Sequence, residues 1–367
     1  MERGDTLTEP RTLRLWAQGD AHVGRDLQFG RRSLADALHQ SEFGGECGGP
    51  PFAWDLAINV GDYCGDRGLP SDSEGREVAA QFAVLQKHRR EQIYSLSGNH
   101  DRNGLHQPAG QWFRKWIDPM GENTAFSGVD RGRYPFPIEG TWERYAIHAG
   151  NIVILMMSDV NETSHKKGRG ELEGNPGGVV TQETFEWWRD QVLRHKDKIV
   201  ITAHHYVLKE TTFASGLWEG MRKDAAGNWI QDYHRYIAEG SPAGASFLCW
   251  VGGRFDSGQF EEVLEANPGA VDLWLAGHTH SNPDDRKGGR GCFERKYGGT
   301  AFMNICALTR YMVPDHAIPH SWLLTFTEGS DSVQAQCYMH TDEYRPQGWY
   351  DDAERRIDLS TPFRFDT

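Results

Sequence analysis

The chain contains no run of eighteen uninterrupted apolar residues, so it offers no candidate for a membrane-crossing helix. Its opening stretch, Met1 to Pro10, is polar and charged and lacks the apolar core of a secretory signal. Together these absences lead us to expect no membrane span and cytoplasmic residence. Close cysteine pairs are missing as well. Cys47, Cys64, Cys249, Cys292, Cys306 and Cys337 are scattered without a Cys-x-x-Cys motif, which points to free, mostly buried thiols. Nor is there an excess of positive charge: 39 Lys and Arg face 52 Asp and Glu, for a formal net charge of −13. Nucleic-acid binders carry basic stripes that displace counterions, so this balance argues against a nucleic-acid partner and for a small substrate. A polyanion would bind only where metal cations supply the local positive charge. Internal repeats and low-complexity tracts are also absent.

What is present is the composition of a folded globular chain. Of 367 residues, 38% are apolar and 25% charged, enough to bury the core of one large domain with an insertion. Short apolar runs at Leu13 to Ala17, Leu56 to Val60, Ile93 to Leu96, Ile152 to Met157, Ile199 to Ala203 and Leu273 to Ala276 read as buried strands. Helical patterns fall at about Ser33 to Gln40, Glu77 to Arg89, Glu183 to Arg194 and Gln259 to Ala266. Strands alternating with helices imply an α/β fold. From Phe302 to Met339 three β-rich runs follow one another, suggesting a second, more antiparallel sheet. The segments Glu122 to Arg144 and Tyr206 to Asp256 are Gly-rich and weakly periodic and read as insertions. We therefore expect one domain over residues 1–340, with a loop insertion at about 206–256, followed by a polar tail over 341–367 that wraps the domain or frays.

Five clusters of metal-ligating residue types stand just past the ends of predicted strands, where open α/β sheets form their ligand-binding crevices. They are Asp20-Ala21-His22, Gly61-Asp62, Gly98-Asn99-His100-Asp101, Ala203-His204-His205 and Gly277-His278-Thr279-His280. An isolated Asp-x-His triplet is usually a surface turn. Five such clusters at strand ends favour a metal centre, because carboxylate, imidazole and neutral amide oxygens suit cations of intermediate softness. Asp62 offers two oxygens that can bridge two cations, and the glycines permit tight turns that aim side chains at one point.

This ordered set resembles the calcineurin-like metallophosphoesterase superfamily, whose signature is Asp-x-His, Gly-Asp, Gly-Asn-His-Asp or -Glu, a later His, and Gly-His-x-His. The resemblance spans Asp20 to His280. It implies a four-layer αββα fold, in which two mixed β-sheets pack face to face with helices outside. It also implies a dinuclear centre, with Asp20, His22, Asp62 and His280 on one metal and Asp62, Asn99, His204 and His278 on the other. His204 fills the fourth-motif position in this reading, and its neighbour His205 is the alternative. Purple acid phosphatases have Asp-x-Gly in the first motif and a tyrosine ligand three residues after the second aspartate. Here those places hold His22 and Gly65, so the first motif is more similar to that of the phosphodiesterase branches.

The implied activity is hydrolysis of a small phosphodiester, with phosphomonoester hydrolysis or a non-catalytic metal-binding scaffold as alternatives. Two divalent or trivalent ions are expected, with Mn, Fe or Zn the leading choices. Held about 3.5–4 Å apart, such a pair activates a shared water as a bridging hydroxide and neutralises phosphoryl charge. His100, next to a ligand, is the candidate general acid for the leaving group. Asp101 is placed either to orient the His100 ring or to cap the following turn through its carboxylate. Arg131, Arg133, His165 and the Tyr206 to Asp256 insertion are further candidates for substrate contact.

Overall fold

Period-two alternation shapes the first strand, Thr12–Gln18. Leu13, Leu15 and Ala17 join one apolar cluster, while Trp16 joins another on the opposite face, as successive side chains of a strand must. The computed structural model describes residues 10–65, 68–162, 177–216, 222–223, 229–230, 246–255, 258–310 and 318–366. Among these, two mixed sheets dominate. The six-stranded sheet runs Gly348–Asp358, Ser332–Met339, His320–Thr327, Thr12–Gln18, Leu56–Asn59, Ile93–Ser95. The seven-stranded sheet runs Phe293–Lys296, Thr300–Asn304, Leu273–Ala276, Ile199–His204, Ile152–Met157, Arg144–Ala149, Ile138–Thr141.

The sheets pack face to face through one cluster that includes Leu15 and Ile58 from the first and Ile154, Ile201 and Leu275 from the second. Helices cover the outer faces. Ser33–Phe43, Asp72–Phe82 and Gln111–Trp116 lay Leu38, Val78 and Trp112 against Trp16 and Ile93. Gln182–Arg194 and Gly258–Ala266 lay Trp188 and Phe260 against Val200 and Trp274. This is the expected four-layer arrangement.

Several local expectations need correction. The helix placed at Glu77 to Arg89 occupies Asp72–Phe82, because Ser71 and Glu74 form a reciprocal capping box that starts it earlier. The β-rich runs after Phe302 do not make one new sheet. Thr300–Asn304 pairs parallel with Leu273–Ala276, whereas His320–Thr327 pairs antiparallel with Thr12–Gln18. Arg144, placed at the end of an insertion, begins the strand Arg144–Ala149. Of the two readings of the polar stretch after Thr341, fraying is excluded: Gly348–Asp358 joins the six-stranded sheet as an edge strand and Phe363 beyond it is fully buried. Most of the expected 206–256 insertion, and His165, lie outside the described residues.

Candidate metal centre

All five clusters leave the C-terminal ends of parallel-paired strands, and cross-loop hydrogen bonds draw them together at one rim. Asp20 N donates to Gly61 O at 2.9 Å, His22 N to Asp62 O at 3.0 Å, and Gly277 N to His205 O at 2.9 Å. The backbone itself is unusual here. Asp20, His22, Asp62, His278 and His280 all have positive φ, at 54°, 38°, 58°, 72° and 43°. Left-handed conformations in non-glycine residues cost of order 1–3 kcal/mol each and concentrate at functional sites. Glycine is demanded at two neighbouring places for close approach: a Cβ at Gly98 would overlap the Asp62 carboxylate, and one at Gly277 would overlap that of Asp20.

Asp20, His22 and His280 form one group and Asp62, His205 and His278 another, with Asp62 also within reach of His22 and His100. His280 Nε2 lies 2.9 Å from Asp20 Oδ1 and 3.1 Å from His22 Nε2. Asn99 Oδ1 lies 3.0 Å from His205 Nε2 and 3.0 Å from His278 Nδ1. Asp62 stands between the groups, with Oδ2 at 3.2 Å from His205 Nε2 and 3.6 Å from His22 Nε2.

Donor arithmetic shows what this arrangement suits. His22 Nδ1 donates to Cys64 O at 2.9 Å and His205 Nδ1 to Val60 O at 2.8 Å. In the neutral tautomers those bonds fix, each Nε2 presents a lone pair. The lone pair of His22 faces the Asp62 carboxylate and the His280 ring, and that of His205 faces Asp62 and the Asn99 amide oxygen. Acceptors facing acceptors require positive charge between them, and mixed N and O donors are the set that borderline divalent metals take. Where no ion is bound, a proton on His205 answers the same demand. Burial pulls the His205 imidazole down, but Asp62 and Asp20 outweigh it and raise its pKa to about 10. Burial alone would raise the Asp62 carboxyl, yet His205 and His100 hold it well below the usual range. His22, where burial prevails, falls to about 4 and is neutral at physiological pH.

His204 does not join this group. Its ring is fully buried, Nδ1 accepts from Tyr206 N at 3.0 Å, and Nε2 has no hydrogen-bond partner among the described residues. Burial lowers its pKa to about 3. His205 occupies the expected position instead, and strand parity is the reason. Along Ile199–His204, residues Ile199, Ile201 and Ala203 face the intersheet core while Val200 faces the helices. The odd register carries His205 to the intersheet side with the other clusters, and the even register turns His204 away.

Asp101 also settles differently from the ring-orienting expectation. Its carboxylate accepts from the backbone N–H of Asp62, Tyr63, Cys64 and Gly98 at 2.8 to 2.9 Å, so it clamps two motif loops together. Burial and the charge of Asp62 push its pKa up to about 7 against the pull of those amides. His100 sits deep in the site, 5% exposed, with Nε2 4.0 Å from Asp62 Oδ2 and its ring edge-on to His22 at 4.6 Å between centroids. The motif reading missed Tyr206, whose hydroxyl donates to Asn99 Oδ1 at 2.9 Å and whose ring lies 4.1 Å from that of His278. Its adjacency to the paired histidines was the available signal. Arg131 and Arg133 are exposed, and Arg133 faces Glu91, which precedes the strand that Asn99 follows. That places them at the far end of this strand from the centre.

Comparison with known proteins places the site in context. Residues 13–282 match the family model described as calcineurin-like phosphoesterase. Among solved structures, the chain is similar to GAP50, the anchor in the inner membrane complex of Plasmodium, at 8% identity and a TM-score of 0.48, over 96% of this chain and 90% of that one. It is also similar to Vps29 of Chaetomium thermophilum, at 10% identity and a TM-score of 0.34, over 95% and 100%. A single-mutant Vps29 of Entamoeba histolytica gives 13% identity and a TM-score of 0.32, over 95% and 100%. No curated protein matches the sequence significantly. No helix among the described residues is long and apolar enough to cross a membrane.

Proposed function

Because the chain belongs to the calcineurin-like phosphoesterase family, we propose that it is a metal-dependent hydrolase of small phosphate esters, with phosphodiesters preferred. The observation that carries this reading is the convergence of Asp20, His22, Asp62, Asn99, His205, His278 and His280 at one buried rim. Asp20, His22, Asp62 and His280 would hold one cation, and Asp62, Asn99, His205 and His278 a second, with Mn, Fe or Zn suited to the donors. Bound there, the ions supply Lewis acidity toward phosphoryl oxygens and lower the pKa of water.

The protein's own groups do the rest. Asp62, shared by both sets, fixes their separation, and its Oδ1 is held by His100 N at 2.7 Å. That bond seats the His100 imidazole beside the centre, where it carries the proton that a departing alkoxide needs. Asp101 keeps the two motif loops in register through four backbone N–H bonds. The preference for diesters rests on the first motif, Asp20-x-His22, in which an imidazole stands where purple acid phosphatases have glycine.

Elemental analysis and turnover measured on the same sample test the proposal. Two metals per chain and hydrolysis of a phosphodiester panel are expected, and Asp62→Asn should lower both together. Stoichiometric metal without turnover on diesters or monoesters would favour a scaffold, and faster monoester cleavage would remove the diester preference.

A further inference from the structure

Two strands, one in each large sheet, end in asparagine. Asn59 closes Leu56–Asn59 in the six-stranded sheet, and Asn304 closes Thr300–Asn304 in the seven-stranded sheet. Alternation places both side chains on the helix-covered faces, because Leu56, Ile58 and Val60 on one strand and Ala301, Met303 and Ile305 on the other face the intersheet core. Both asparagines are fully buried, yet Nδ2 of each has no hydrogen-bond partner among the described residues. Asparagine is depleted in strands, and a buried donor without an acceptor is unfavourable. Breaches of local preference of this kind are expected where function requires them.

The bond that each amide does make is the same. Asn59 Oδ1 accepts from Gly61 N at 2.9 Å, and Asn304 Oδ1 accepts from Cys306 N at 3.3 Å and from Cys306 Sγ at 3.2 Å. A side-chain oxygen that takes the N–H two residues ahead forms an Asx turn, which stands in for a backbone turn. Both turns lead to the first motif. Out of one, Gly61 O accepts from Asp20 N at 2.9 Å; out of the other, Leu308 N donates to Gly19 O at 3.0 Å. Gly19 O and Asp20 N belong to a single peptide unit, so that unit is gripped at both its oxygen and its nitrogen. It is the unit about which Asp20 adopts its left-handed φ of 54°, a conformation that persists only where the surrounding structure over-determines it.

We infer that Asn59 and Asn304 are positioning residues for Asp20, clamping the Gly19–Asp20 peptide through two Asx turns supplied by opposite sheets. Neither amide touches the ligand groups; each acts through backbone that it fixes. The inference rests on the metal-centre reading proposed above, in which Asp20 is a ligand.

Mn affinity, measured by calorimetry on folded protein, tests it. Asn59→Ala and Asn304→Ala should each weaken Mn binding by about tenfold or more, the usual effect of removing a group that orients a ligand. Asn59→Ser and Asn304→Ser should recover most of that loss, because a serine hydroxyl accepts from the same N–H, though more weakly. Gln18→Leu is the control. Gln18 lies opposite Asn59 in register and is as deeply buried, and its amide bonds to no described residue, so replacing it alters packing without removing a turn. Its Mn affinity should match that of the parent. Equal weakening in Gln18→Leu, parental affinity in both alanine variants, or serine variants no better than alanine would overturn the inference. Where the alanine variants do not fold, the parent protein carries the test through hydrogen exchange: by reciprocity Mn should slow exchange of the Cys306 and Leu308 amides, and unaltered exchange there would overturn the inference. No Mn binding by the parent would overturn the metal-centre reading itself, an outcome distinct from binding that the variants leave unaltered.

Discussion

The carboxylate of Asp101 holds Asp62 from behind: Oδ2 accepts from Asp62 N at 2.8 Å while Oδ1 accepts from Tyr63 N and Cys64 N at 2.9 Å. The conformation that presents Asp62 to both ligand sets therefore depends on a residue that itself belongs to neither. Asp101→Ala would strand four buried N–H groups. We expect a loss of folding stability of about 3 kcal/mol or more, together with loss of metal. Denaturant melts and elemental analysis check this. A variant with full stability and full metal content that is nonetheless inactive would return Asp101 to a direct role in the chemistry.

His204 and His205 should separate cleanly. His205→Ala removes a nitrogen facing Asp62 and Asn99, so metal affinity should fall by at least tenfold. His204→Ala should retain the metal and instead lower the melting temperature, since it opens a void in the fully buried layer beneath the helices. Calorimetric metal titration of both variants decides the matter, and the opposite pattern would reinstate the even-register histidine as the ligand.

Tyr206→Phe deletes only the hydroxyl that donates to Asn99 Oδ1. The fold should be preserved because the ring still lies against His278. Metal affinity should drop about tenfold, and excess metal should restore full loading. Unchanged metal titration would show that Asn99 orients without this hydroxyl.

His100→Ala should retain most of the metal and separate substrates by leaving group. Alkyl esters, whose alkoxide needs a proton, should slow by about 100-fold or more. A 4-nitrophenolate departs without one, so its esters should suffer less. Equal losses for both substrate types, measured at matched metal content, would mean that His100 positions the phosphoryl group rather than protonating the leaving oxygen.

Much of the site was readable from residue types and order alone, because each motif follows a short apolar strand that ends in a tight turn. Parity inside the strand was readable too: counting by twos from Ile199 through Ile201 and Ala203 reaches His205. The edge strand Gly348–Asp358 was not. Its buried positions are Gly348, Tyr350, Ala353 and Ile357, and a register shift opposite Ala335 and Cys337 breaks the alternation between Tyr350 and Ala353. With charged residues on its open face, such a strand reads as tail. Tyr206 escaped for another reason: its importance comes from a contact with Asn99 more than one hundred residues earlier, which no local pattern encodes.

The left-handed backbone at Asp20, His22, Asp62, His278 and His280 sets the protein's durability against its usefulness. Each residue would relax as glycine, but the two aspartates also answer the charge of His205, and Asp62 accepts from His100 N, so the gain belongs to the histidine positions. A metal-free chain bearing Gly at one of these positions should therefore tolerate heat better than its parent while losing the ability to load metal. Random mutagenesis selected only for thermal survival would erode this rim early, so these positions would mark where selection for a working centre has overruled selection for a stable fold.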